Sequence, residues 1–258
     1  MIVRKQANGE LILIGQTDHS QLVGQLAAHW GNDDFAAPDP YTSMVRAATF
    51  HDYGWLRYET SPQLNPKTGE PYSFLELPLE TAQLDSYQWS LDWMAAIDPY
   101  AGLIVSMHRT GLWKNRYDLM TQPAGYTVRE VTPEMDDFIE RNERWQELEM
   151  KSRDPDKLKT NYRLMQAWDL LGLYFCCREP VEDCVEPVPT GYSGDATQLR
   201  LKPSGSQQVT FDPFPFDTRP CRIQHAFKRL PRSVFESVED FQRAYFKAEH
   251  GVIDFELI

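Results

Sequence analysis

Five ionisable residues on the apolar faces of helix-patterned segments restrict this chain more than any other feature of its sequence. His19 shares its face with Leu22, Val23 and Leu26, and His51 shares its face with Met44, Ala47 and Ala48. Asp52 lies above Val45 and Ala48, His108 above Ala101, Ile104 and Val105, and Asp169 among Tyr162, Met165, Leu173 and Cys176. Side chains three, four and seven residues apart occupy one face of a helix. A carboxylate carried into a core without a partner is costly, so such groups are paired or bind metal. The segments bearing them are therefore expected to converge. Three imidazoles and two carboxylates inside a helical bundle suit a divalent transition metal: Mn, Fe, Co, Ni or Zn. The expected ligands are His19, His51, Asp52, His108 and Asp169.

The rest of the chain sets these segments in order. Asn8-Gly9 separates two apolar runs and predicts a hairpin of Ile2 to Lys5 with Leu11 to Ile14. Asp18 reads as the N-cap of the next helix, with Gln21 completing a capping box. Helical spacing then continues after Pro38, and again over about 85–97, 99–112, 133–150 and 156–177. Residues 60–80 are rich in proline, glycine and polar side chains, and a loop that long is more often functional than idle. Beyond Cys184 the texture changes. Prolines separate short strand-like runs at Leu199 to Lys202, Gln208 to Phe211 and Cys221 to Lys228, followed by a helix over 238–250 and a last strand over 252–257.

The expected architecture is mainly α. A hairpin (1–16) precedes a helical domain (17–183), and a small α+β appendage (184–258) follows, whose strands the hairpin is free to join. A chain of 258 residues with 41% hydrophobic content buries a sizeable core without staples. Its net charge of −12 argues against nucleic acid and anionic membranes as partners. Cys176, Cys177, Cys184 and Cys221 form no C-x-x-C pair and read as reduced thiols. No apolar leader or membrane span is evident, which makes the cytoplasm the expected compartment. A homo-oligomer is compatible with all of this.

The order of His19, then His51-Asp52 at a helix end, then Asp169 in Q-A-W-D-L-L, resembles the HD superfamily of metal-dependent phosphohydrolases. H51-D-Y-G-W is similar to that family's stretch around its His-Asp pair. The wider pattern, including S-M-H-R and D-P-F-P-F, resembles a family of that superfamily with no assigned activity. The resemblance implies an HD-like helical bundle and hydrolysis of a small phosphoester or nucleotide. It implies that Asp52 both ligates metal and orients water, and that His108 ligates a second metal or donates a proton. Trp55 stands where many HD enzymes carry lysine, and no histidine lies between Asp52 and His108 to complete a two-metal set. Gln83 or Asp85 would have to fill that gap.

Arg109 and Arg57 are the candidate phosphate-binding cations, although each reads equally well as a solvated surface charge. Tyr53 and Trp55 read as packing aromatics that could also stack on a base. Two other readings share the same cage: an HD-type di-iron oxygenase, and a non-catalytic metal- or ligand-binding module. The remaining residues read as structural. His29 borders a helix, His225 packs in a sheet, His250 sits at a helix end, and the acidic run Glu130 to Glu149 is a solvated face.

Overall fold

A computed structural model describes residues 1–114 and 131–258. Glu130 therefore lies outside the described residues. The chain begins with the expected hairpin, β1 (Ile2–Lys5) and β2 (Leu11–Ile14), joined by Gly9 at φ 86°. Four helices and a 3-10 turn follow: α1 (Gln16–Ala28), α2 (Tyr41–Phe50), the turn Tyr53–Trp55, α3 (Leu56–Thr60) and α4 (Thr81–Ile97). Then come α5 (Pro99–Trp113), α6 (Pro133–Met150) and α7 (Pro155–Cys177). The last part alternates β3 (Asp183–Pro189), β4 (Ala196–Pro203), β5 (Gln208–Asp212), β6 (Cys221–Leu230), α8 (Val238–Lys247) and β7 (Glu249–Leu257).

Local chemistry explains most of these boundaries. The side chains of Asp98, Thr132 and Asp154 each accept hydrogen bonds from the first turn of α5, α6 and α7. Each is followed by a proline, which is already suited to the first helical position. Helix α1 departs from expectation. It starts at Gln16 rather than after Asp18, and Asp18 instead accepts from the Gly15 N–H at 3.3 Å. The missing acceptor comes from far along the chain: Glu59 Oε1 accepts from the Gln16 N–H, and Oε2 accepts from the Thr17 hydroxyl at 2.5 Å. The helix expected to reach His250 stops at Lys247, so His250 pairs with Lys228 in the sheet.

The mainly α architecture is overturned. Helix accounts for 47% of the structure and strand for 21%, and the strands form one curled, seven-stranded half-barrel. Their order is β1-β2-β6-β7-β5-β4-β3, antiparallel except for the parallel β5–β7 pair. The hairpin is one flank of this sheet, next to β6. Helix α1 packs on β6, and α7 packs on β1 and β3. Strand β2 shows why the sheet cannot be an appendage. Its Leu-Ile-Leu-Ile is buried throughout, as befits a strand covered on both faces. Helices and sheet share one apolar core that includes Trp30, Phe35, Trp168, Phe211 and Phe216. Strand β3, Asp-Cys-Val-Glu-Pro-Val-Pro, was not expected as a strand; it is an edge, where proline is tolerated.

Candidate metal centre

Four α-helices and the 3-10 turn deliver the ionisable side chains. Helix α1 carries His19, α2 ends at His51, Asp52 opens the 3-10 turn, α5 carries His108 and Arg109, and α7 carries Asp169. Their close approach depends on small residues. A Cβ on Gly24 would lie 2.2 Å from the Thr49 hydroxyl and 3.0 Å from Thr49 Cα, so α1 can rest directly on α2. A Cβ on Gly172 would lie 2.7 Å from His19 Cε1 and 2.5 Å from Val23 Cγ2, so α7 rests against the ring of His19.

All six residues are at most 5% exposed. His19 Nε2 lies 3.0 Å from Asp169 Oδ1, and His51 Nε2 lies 3.2 Å from the same oxygen and 3.4 Å from Asp52 Oδ2. The rings of His51 and His108 meet edge to face at 4.9 Å. The potential ligand atoms of His19, His51 and Asp169 lie within 4.8 Å of one another, as do those of His51, Asp52 and His108. Thus the structure brings together all five residues expected from helical spacing, in two triads that share His51.

One hydrogen bond bears on the donor set. His51 Nδ1 donates to the Ala48 carbonyl at 2.8 Å. In the neutral ring Nε2 is then an acceptor, facing two carboxylate oxygens with no hydrogen-bond partner. Such an arrangement calls for a cation between the groups, either a metal ion or a proton on the ring. A histidine that ligates metal through one nitrogen and donates through the other is the usual pattern. The donor set therefore fits a divalent transition metal.

Without a metal the cluster is a tightly coupled charge network. Burial opposes charge on His51, but Asp52 and Asp169 outweigh it and push the imidazole up to about 10. Burial likewise opposes the charged forms of Asp52 and Asp169, yet their histidine neighbours, with Arg109 beside Asp52, hold both carboxyls below the usual carboxylate range. Burial pushes His108 down to about 3. Arg109 donates to Asp52 Oδ1 and lies 4.3 Å from the centre of the Tyr87 ring. Burial disfavours its charge, but Asp52 more than compensates.

A cavity of about 70 Å3 opens beside these groups. Its polar wall is formed by Gln16, His19, Asp52, His108, Arg109 and Asp169. Trp55, Phe74, Leu79, Tyr87, Trp113 and Leu173 supply most of the rest. Phe74 and Leu79 come from the long 61–80 segment, which is pinned by Phe74 N–H to the Met1 carbonyl and by the Phe235 N–H to Gly69.

Several expected site residues lie elsewhere. Arg57 is exposed, donates to the Ala82 carbonyl at 3.5 Å, and lines a surface groove with Leu56, Asp85 and Trp89. One turn of α3 carries it away from the cavity. Gln83 donates to the Gly54 carbonyl, so neither it nor Asp85 fills the ligand gap. Tyr53 stacks on Trp93, while Trp55 faces the cavity. Cys176 is fully buried, and burial pushes its thiol well up. His225 is buried in β6 as expected, and half-exposed His29 pairs with Asp217 at 3.0 Å. Gln16 was missed. It precedes His19 by three residues and so shares its helical face, a signal hidden by placing the helix start at Asp18.

Among the described residues, no helix is long and apolar enough to cross a membrane. A family model described as "Protein of unknown function (DUF3891)" matches residues 1–232. No curated protein and no solved structure matches the chain. Together with the curled mixed sheet, the family match overturns the resemblance to the HD superfamily. The His, His-Asp and Asp order is a sparse pattern that a different architecture also accommodates.

Proposed function

We propose, on the premise that this chain belongs to the DUF3891 family of unknown function, that it hydrolyses small phosphoesters with a divalent metal ion. The observation that carries this reading is His51 Nε2, buried without a hydrogen-bond partner between the carboxylates of Asp52 and Asp169, beside a cavity that also holds a buried arginine. His19, His51, Asp52, His108 and Asp169 would hold the metal. When bound, such an ion lowers the pKa of water and polarises a phosphoryl oxygen.

The chain's own residues supply the rest. Arg109 presents a planar guanidinium suited to phosphoryl oxygens. Asp52 and the Tyr87 ring hold that guanidinium at the cavity wall. Trp55, Phe74 and Leu79 exclude bulk water, which strengthens every charge interaction inside. The Ala48 carbonyl keeps His51 oriented with Nε2 inward.

Protein loaded in turn with Mn, Fe, Co, Ni or Zn is expected to turn over at least one member of a panel of small phosphoesters. Rates no higher than those of a His51→Ala control with every metal would sink the reading. Metal uptake with ligand binding and no turnover would instead indicate a non-catalytic module.

The packing of α7 on α1 gives a second expectation. Gly172→Ala forces His19 to move, so metal affinity should fall about 10- to 100-fold, the range seen for disturbed supporting residues. Overpacking should cost about 1–3 kcal/mol of stability. Calorimetric metal titration with a denaturant melt checks both, and an unchanged affinity would show that Gly172 does not set the position of His19.

A further inference from the structure

We infer that Gln16 makes the cavity selective for a hydrogen phosphate anion, with its side-chain carbonyl accepting the O–H that this anion carries. The inference rests on the phosphoester reading above and concerns the hydrogen phosphate that hydrolysis of a phosphomonoester releases; in the ester dianion, which has no such O–H, Gln16 Oε1 would face the attacking water instead.

Gln16 is 3% exposed, and its Oε1 has no hydrogen-bond partner among the described residues. It lies on the cavity wall with Arg109, His108 and the shared carboxylates. An amide oxygen buried without a donor is unfavourable by itself, so the position calls for a ligand that brings one. The helix end does not take that role, because Glu59 already accepts from the backbone N–H groups of Gln16 and Thr17. Gln16 therefore adds an unpartnered acceptor to a wall that also carries the donors of Arg109.

A tetrahedral anion with both kinds of oxygen matches this pair. Hydrogen phosphate near neutral pH has unprotonated oxygens for the guanidinium and one O–H for Gln16. Sulfate has the same shape and charge but no O–H, and would set a bare oxygen against the Gln16 carbonyl. A site built around such a hydrogen bond rejects the analogue that lacks it.

The reaction is consistent with this placement. Water oxygen bonds to phosphorus, the ester P–O bond breaks, and one water proton passes to the departing alcohol oxygen. The other proton remains as the O–H of the hydrogen phosphate product, the group that Gln16 accepts. The cavity of about 70 Å3 also favours the monoester. It is far smaller than the roughly 300 Å3 or more of pockets for drug-sized ligands, which leaves little space for a second ester arm.

The test is calorimetric titration of inorganic phosphate and of sulfate into Mn-loaded protein, compared with Gln16→Met and Gln16→Leu. The unaltered chain is expected to prefer phosphate by about 10-fold or more, and both variants should lose that preference while retaining metal content and melting temperature. Equal affinities in the unaltered chain, binding of neither anion, or a preference kept by both variants overturns the inference. The comparison within the unaltered chain needs no variant to fold. If the chain takes up no metal, the same titration on the metal-free protein, where Arg109 is still present, is read by the same outcomes. A Gln16-dependent preference without metal uptake or turnover would support the inference and overturn the hydrolase reading alone.

Discussion

A His51→Ala chain is expected to bind divalent metal roughly 100-fold or more weakly than the unaltered chain, and Asp169→Ala should do the same. Loss of a supporting residue around a metal typically costs 10- to 100-fold, and these two side chains would be ligands themselves. His51 belongs to both triads, and Asp169 Oδ1 lies within 3.2 Å of both His19 and His51. Substituting either disrupts the cage rather than trimming it. His29→Ala is the control, since its partner is Asp217 on the surface. Elemental analysis and metal titration read the result. The competing account is a buried charge network in which His51 is an imidazolium between Asp52 and Asp169. That account predicts a loss of about 3–5 kcal/mol of stability when one partner goes, with no metal bound by any variant. The two accounts therefore separate on metal content, whatever happens to stability.

Trp168→Ala should cost about 3–5 kcal/mol of folding stability. Trp168 is fully buried on α7, next to Asp169 in sequence, and its ring meets Trp30 at 5.8 Å. Trp30 in turn packs on Phe35 and on Phe216, which precedes β6. This cluster joins the helices to the sheet, so the unaltered chain and the variant should each unfold in one cooperative step. Chemical denaturation followed by fluorescence and far-ultraviolet circular dichroism checks this. A loss below about 1 kcal/mol, or a sheet that melts apart from the helices, would contradict the joint core.

Much of the site was legible because it depends on helical spacing. His19, His51, Asp52, His108 and Asp169 each stood among apolar neighbours at intervals of three and four, and all five meet. Arg109 follows His108 in the chain and also reaches the cavity, held there by Asp52 and Tyr87. Arg57 shows the limit. Nearness to His51-Asp52 along the chain suggested a shared site, but α3 turns it to solvent. Gln16 was hidden for the opposite reason. Its helix begins early because Glu59, 43 positions away, supplies the missing cap, and a cap from so far along the chain has no local signature.

Local periodicity and capping by themselves determined the hairpin, the course of α5, α6 and α7, and which ionisable groups had to be buried together. These are short-range matters: a proline after a capping Asp or Thr, or an apolar face repeating each turn, acts over a few residues. Only the tertiary structure decided that β2 and β6 lie side by side, that the seven strands curl into one half-barrel, and that β3 runs along an edge. Strand pairing joins segments more than 200 residues apart, such as Leu11 with Leu230. Backbone hydrogen bonds that make such pairs are shared by every residue type, so they leave little trace in the order of side chains. The buried ionisable cluster was therefore readable from the chain, whereas the architecture that encloses it was not.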